Sequence, residues 1–190
     1  MQPIMNCFIT GWISANQEKA TERSQQLLIG NRQEGDCTMK TIITYFSVEG
    51  TTKSVAEKAA KELGVEVYEI QPLHPYTAAD IRYTNPLARC NKEKFGKKDV
   101  PISGKVKDFN EYDTVFIGFP IWYGAAPNIV NTFCKEYDWT GKKVYAFATS
   151  GGSGIGKTAE KLQSYVKGGV VAKAKLVHSA SDLIEWVKSV

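Results

Sequence analysis

Two short stretches carry the residue types that do chemistry in this chain. The first is Phe46-Ser47-Val48-Glu49-Gly50-Thr51-Thr52-Lys53, which follows the apolar run Thr41–Tyr45 and opens a helical pattern. A strand that breaks into a Ser/Gly/Thr loop and then a helix presents backbone N–H groups and the positive end of the helix dipole to an anion. Hydroxyls of Ser47, Thr51 and Thr52 add donors, and Gly50 permits close backbone approach. The same residues also suit an ordinary capped helix start. The second stretch is Phe119-Pro120-Ile121-Trp122-Tyr123-Gly124, again just after an apolar strand. Its rings either pack at the base of the loop or offer a flat surface for stacking. Together, the two loops point to a planar aromatic ligand that carries a phosphate. Flavin mononucleotide (FMN) is the leading candidate.

A third loop, Gly151-Gly152-Ser153-Gly154-Ile155-Gly156-Lys157-Thr158, matches the nucleotide P-loop pattern between a strand and a helix. That match makes a P-loop NTPase a distant alternative. The strand feeding it is the fourth of the chain, and neither neighbouring apolar strand ends in an acid that would hold Mg²⁺. A glycine-rich backbone against the edge of a flavin ring explains the loop better.

These loops need a scaffold, and the chain supplies one from Met39 onward. Apolar strands at Thr41–Phe46, Val65–Ile70, Tyr112–Phe119, Val144–Thr149 and Val170–Val177 alternate with helical patterns. The helices are expected over Thr52–Leu63, from Pro127, over Ile155–Lys167, and after a cap at Ser181. Five strands interleaved with helices imply an α/β fold with a parallel sheet covered on both faces. Ligands then sit at the carboxyl ends of the strands. Residues 72–110 are long, polar and basic, with no clear core element. Residues 1–38 are rich in Gln, Asn, Ser and Glu and differ from the rest. They read as an N-terminal extension, mobile or upstream of a true start at Met39, leaving 39–190 as the working domain.

Composition removes several classes of function. The 190 residues contain no apolar run long enough to span a bilayer, so no membrane role is expected. Cys7, Cys37, Cys90 and Cys134 show no metal spacing, and there are only two histidines, His74 and His178. A reduced, cytoplasmic chain without disulfides follows, with Cys134 on the apolar face of a helix. Residues 89–107 carry an excess of five positive charges, more than the +4 of the whole chain. That run is either a solvated face or a lure for an anionic substrate or acidic partner. It has no interleaved aromatic beyond Phe95 and lies outside any recognised motif, so nucleic-acid binding is not expected.

The three loops, with Pro75-Tyr76-Thr77-Ala78-Ala79-Asp80 after the second strand, resemble the flavodoxin superfamily and its bacterial flavodoxin-like, FMN-binding group. The likeness runs from Met39 to Val190. It implies a three-layer α/β/α fold with strand order 2-1-3-4-5 and FMN held without covalent attachment. By the family pattern, residues 47–52 would hold the phosphate. Ile121, Trp122, Tyr123 and Gly124 would cover one face and edge of the ring, and Ser150, Gly151, Gly152 and Ser153 would meet its pyrimidine side. The peptide near Gly124 is where such proteins rearrange toward the flavin N5 on reduction. No catalytic side chain and no metal is implied, because the cofactor carries the redox chemistry. The resemblance implies electron transfer with a redox partner protein. The alternative is an NAD(P)H-dependent oxidoreductase acting on quinone-like or other small acceptors. Three departures stand out. Glu49 lies where Ser or Thr is usual, Tyr83 lies where the subgroup has Trp, and the chain is basic where carriers are acidic.

Overall fold

The computed structural model describes residues 39–190. The expectation for residues 1–38 lies outside the described residues. A central sheet is built from β1 (Thr41–Tyr45), β2 (Glu66–Glu69), β5 (Thr114–Pro120), β6 (Lys143–Thr149) and β7 (Val170–Leu176). All its pairings are parallel, in the order β2-β1-β5-β6-β7. This is the expected 2-1-3-4-5 once two short strands, β3 (Gln71–Pro72) and β4 (Ile102–Ser103), are set aside as their own antiparallel pair. The helices are α1 (Thr51–Leu63), α2 (Arg89–Phe95), α3 (Asn128–Lys135), α4 (Thr158–Gln163) and α5 (Ala180–Lys188). Among the described residues no helix is long and apolar enough to cross a membrane.

The central strands are apolar on both faces because both faces are covered. In β5, Val115, Ile117 and Phe119 face the layer of α3 and α4, while Phe116 faces α1 and α5. Gly118 interrupts that run for a steric reason. A Cβ there would lie 2.1 Å from the ring of Phe147, its neighbour across the β5–β6 ladder. Helix α1 closes on the sheet through the small residues Ala56, Ala59 and Ala60 and stops at Gly64, whose φ of 67° fits the left-handed C-terminal position.

Several boundaries differ from expectation. The third helix pattern shortens at both ends to α4, with a turn from Ile155 to Lys157 before it and residues 164–167 outside it. The cap of α5 is Ser179 rather than Ser181, its Oγ accepting the Asp182 N–H at 3.1 Å. Tyr112 precedes β5, following a 3-10 turn at Phe109–Glu111. The segment 72–110 does contribute to the core, against expectation. It holds β3, α2 and β4 and buries Ala88, Cys90, Val100, Val106 and Phe109. Those apolar residues are scattered singly, so no 2- or 3.6-residue period announced them. Cys134 is buried on the apolar face of α3, as expected.

Candidate functional site

The carboxyl ends of β1, β5 and β6 open on a cleft of about 510 Å³, within the range of pockets that enclose small organic ligands. The first wall is the loop into α1. Gly50 takes a φ of 85° and donates its N–H to Ser47 Oγ at 3.1 Å. No side chain caps the helix, and its first turn holds no acid. The N-terminus of α1 therefore offers its amides to an outside acceptor, with the helix dipole favouring an anion. Lys53 takes no part in this. Its Nζ turns to Glu69 at 3.0 Å and Glu57 at 3.8 Å. Glu49 is exposed, while Ser47, Val48, Glu49, Thr51 and Thr52 all line the cleft. Gly50 shapes the loop without lining it.

The floor ties two loops together. Thr52 and Thr149 are buried, and their hydroxyls meet at 2.8 Å. This pair fixes the first turn of α1 against the end of β6. Thr149 was not foreseen as a site residue, because at the end of an apolar strand it reads as ordinary β structure.

The aromatic loop is a two-residue turn. Trp122 and Ala125 exchange backbone hydrogen bonds at 3.0 and 3.1 Å, while Tyr123 and Gly124 take φ values of 52° and 68°. Two successive positive φ values define a type I′ turn, where Gly is at ease and Tyr is strained. Ile121 and Trp122 line the cleft. Trp122 is held edge-on by Phe46 and Tyr76, with ring centroids 5.7 and 5.6 Å away. Tyr123 faces the other way. Its hydroxyl donates to Asn91 Oδ1 and lies 3.4 Å from Cys90 Sγ, and Phe95 tilts against its ring at 5.9 Å. Burial, then Cys90, pushes the Tyr123 phenol above its ordinary range. Tyr123 thus anchors the turn to α2, and neither it nor Gly124 lines the cleft.

The Tyr-Thr-x-x-Asp segment works as a bracket. Asp80 Oδ2 accepts from the Thr77 N–H at 2.9 Å and the Thr77 hydroxyl at 2.7 Å, and these bonds lower the Asp80 pKa. The Tyr76 hydroxyl donates to Glu93 at 2.6 Å, and burial followed by this bond raises its pKa far above the usual phenol value. Arg89 lies 4.1 Å from the Tyr76 ring centre, pairs with Glu93 at 2.6 Å and donates to the His74 carbonyl at 2.7 Å. The bracket delivers Ile81 and Tyr83 to the cleft rim, where Tyr83 is 73% exposed.

In the third loop, Ser150 and Gly151 reach the cleft, but Gly152 and Ser153 do not. Their N–H groups turn back onto Ser150 Oγ, at 3.2 and 2.7 Å. The P-loop reading fails on its last residue. The Thr158 hydroxyl, which such a loop aims at Mg²⁺, is buried and donates to the Ile155 carbonyl. No cluster of metal-ligating side chains occurs among the described residues. Pro120, from the aromatic stretch, lines the cleft too, and four further lining residues carry no readable signal in the sequence: Val55, Ile81, Val177 and His178. The last two follow β7 and reach the cleft only through the strand order.

A family model described as Flavodoxin matches residues 40–190. A crystal structure from Bacteroides uniformis, designated a flavoprotein, is 39% identical, with a TM-score of 0.73, over 78% of this chain and 97% of that one. A flavoprotein from Lactobacillus acidophilus, crystallised in complex with FMN, is 28% identical, with a TM-score of 0.62, over 78% and 99%. No curated protein matches.

Proposed function

This chain belongs to the flavodoxin family, and from that premise we propose that it binds FMN in the cleft and serves electron transfer. The observation that carries this reading is the uncapped, acid-free N-terminus of α1 opening into the same cleft as Trp122. Backbone amides of α1 and the hydroxyls of Ser47 and Thr51 suit a phosphate. Trp122 and the exposed ring of Tyr83 suit the faces of a planar ring system. When bound, FMN supplies the reversible uptake of electrons. The residues of this chain bind and orient it. Thr52 and Thr149 fix the phosphate loop, and Tyr123 and Lys161 fix the turn. The fact that the Lactobacillus acidophilus relative holds FMN supports the assignment.

A second reading, reduction by NAD(P)H with transfer to a small acceptor, is favoured by one observation. The basic segment packs directly beside the aromatic turn, through Asn91 and Phe95. Cytoplasmic residence accords with the free, buried thiols of Cys90 and Cys134. The test is a visible spectrum of the purified protein incubated with FMN, then anaerobic mixing with NADPH and NADH. A flavin spectrum bleached within seconds by either nucleotide identifies the oxidoreductase. Bleaching by dithionite alone identifies a carrier for a partner protein. Protein that stays colourless with excess FMN sinks both readings.

A further inference from the structure

Behind the Trp122–Ala125 turn lies a second pocket, of about 350 Å³, that shares no lining residue with the cleft. Four lysines converge on it from three elements: Lys94 in α2, Lys97 just after it, Lys135 in α3 and Lys161 in α4. The one carboxylate in the wall, Asp99, is tied to Lys135 at 2.5 Å. Among the described residues no carboxylate lies within 4.0 Å of Lys94, Lys97 or Lys161. The Lys161 Nζ donates only to a neutral group, the Gly124 carbonyl at 3.1 Å. Lys97 takes a φ of 48°, where glycine would be at less cost, yet the chain has a lysine there. Like charges gathered in a concavity repel one another until an anion fills it. Burial, and then the charge of Lys161, holds the Lys94 ammonium below its ordinary pKa, and a bound anion reverses the second cause.

We propose that this pocket is a second anion site, in which Lys94, Lys97 and Lys161 bind a phosphate or diphosphate group of a small ligand. Concavity favours a small ligand over a flat acidic protein surface. Ala125, Leu162 and the Tyr165 ring give it apolar wall for the organic body of that ligand. Three ammonium groups free of carboxylates match the charge of a diphosphate and its several acceptor oxygens. The contact of Lys161 with Gly124 places the site against the turn that borders the cleft.

The test is calorimetric titration of the full chain, saturated with FMN, with inorganic pyrophosphate at fixed ionic strength. Wild-type protein is expected to bind one equivalent. The double variant Lys94→Ala/Lys97→Gly, which leaves the Lys161–Gly124 contact of the turn in place, should weaken binding about tenfold or more. Lys97→Gly alone, which suits the backbone there, should weaken it without disturbing the fold. Binding that persists unchanged in these variants lies elsewhere on the protein and overturns the proposal. So does a failure to saturate, which marks diffuse charge suited to an acidic protein. A second arm identifies the source of the phosphate and rests on the redox reading above, whereas the first arm does not. A KM for NADPH raised about tenfold in the double variant assigns the group to a dinucleotide substrate. An unchanged KM, with pyrophosphate binding lost, assigns it to a separate phosphorylated ligand.

Discussion

Single residues in this molecule are decided by the company they keep. Gly118 sits in a strand whose other members are large, and the ring of Phe147 fills the space where its side chain would be. That ring is itself fully buried, so it cannot move aside. Gly118→Ala is therefore expected to destabilise by about 1–3 kcal/mol through overpacking, read as a lowered urea midpoint with an unchanged slope. The Thr52–Thr149 pair presents a different case. Both residues are buried, so Thr149→Val leaves the Thr52 hydroxyl buried without its partner. The cost is about 1–3 kcal/mol. Because Thr52 lies in the first turn of α1, FMN affinity should fall about tenfold as well, read by quenching of flavin fluorescence. An affinity that is unmoved while stability drops would confine the pair to a structural role. Tyr123 shows how sequence misleads at this scale. It stands beside Trp122 in the chain, yet a turn with positive φ at two residues sends the two rings to opposite sides.

At the scale of elements, helix termini matter most. The N-terminus of α1 has no side-chain cap, whereas that of α5 has one in Ser179 and an acid in its first turn, Asp182. Gly50→Ala tests the first. Nothing lies within 4 Å of the added Cβ, so the penalty comes from the left-handed backbone alone and should be about 1–2 kcal/mol. The loop would shift as that strain relaxes, so FMN affinity should weaken with it, measured by the same titration. Asp182 tests the second. The Lys175 ion pair, and then the His178 N–H, hold its carboxyl below the ordinary value of 3.8. Its folded pKa lies under its unfolded one. Its stabilising contribution is thus complete above the unfolded value and is lost as pH falls through the folded one. Asp182→Asn should flatten the stability profile below about pH 4, read by thermal melts from neutral to acid pH. The long elements were legible because period and caps agreed: the alanine-lined α1 ending at Gly64, and the apolar β5 and β6. What stayed hidden depends on tertiary placement. Residues 72–110 bury isolated side chains with no period, and α4 is cut short by a turn that its apolar spacing does not register. Val177 and His178 join the site only because β7 lies beside β6.

Across the whole molecule, topology and charge pull on the same question. The sheet order brings the loops after β1, β5 and β6 to one edge, and the bracket from Tyr76 to Glu93 swings the basic segment against it. Arg89 is consumed in that bracket, with its charge matched by Glu93. Lys94, Lys97 and Lys161 are not matched, and they stand beside the turn that borders the cleft. The chain as a whole carries +4, so its field attracts negative donors and repels basic ones. An anionic reductant such as NADPH should therefore arrive faster at low salt. Raising ionic strength from about 0.01 to about 0.15 M shortens the Debye length from about 30 to about 8 Å. Over that range the second-order rate of flavin reduction by NADPH should fall several-fold, followed by anaerobic stopped flow at the flavin absorbance. A basic electron-donor protein should show the opposite slope, since screening relieves its repulsion. A rate indifferent to salt with both donors would mean that the lysines exert no steering at the cleft, and that the basic segment is a solvated face after all.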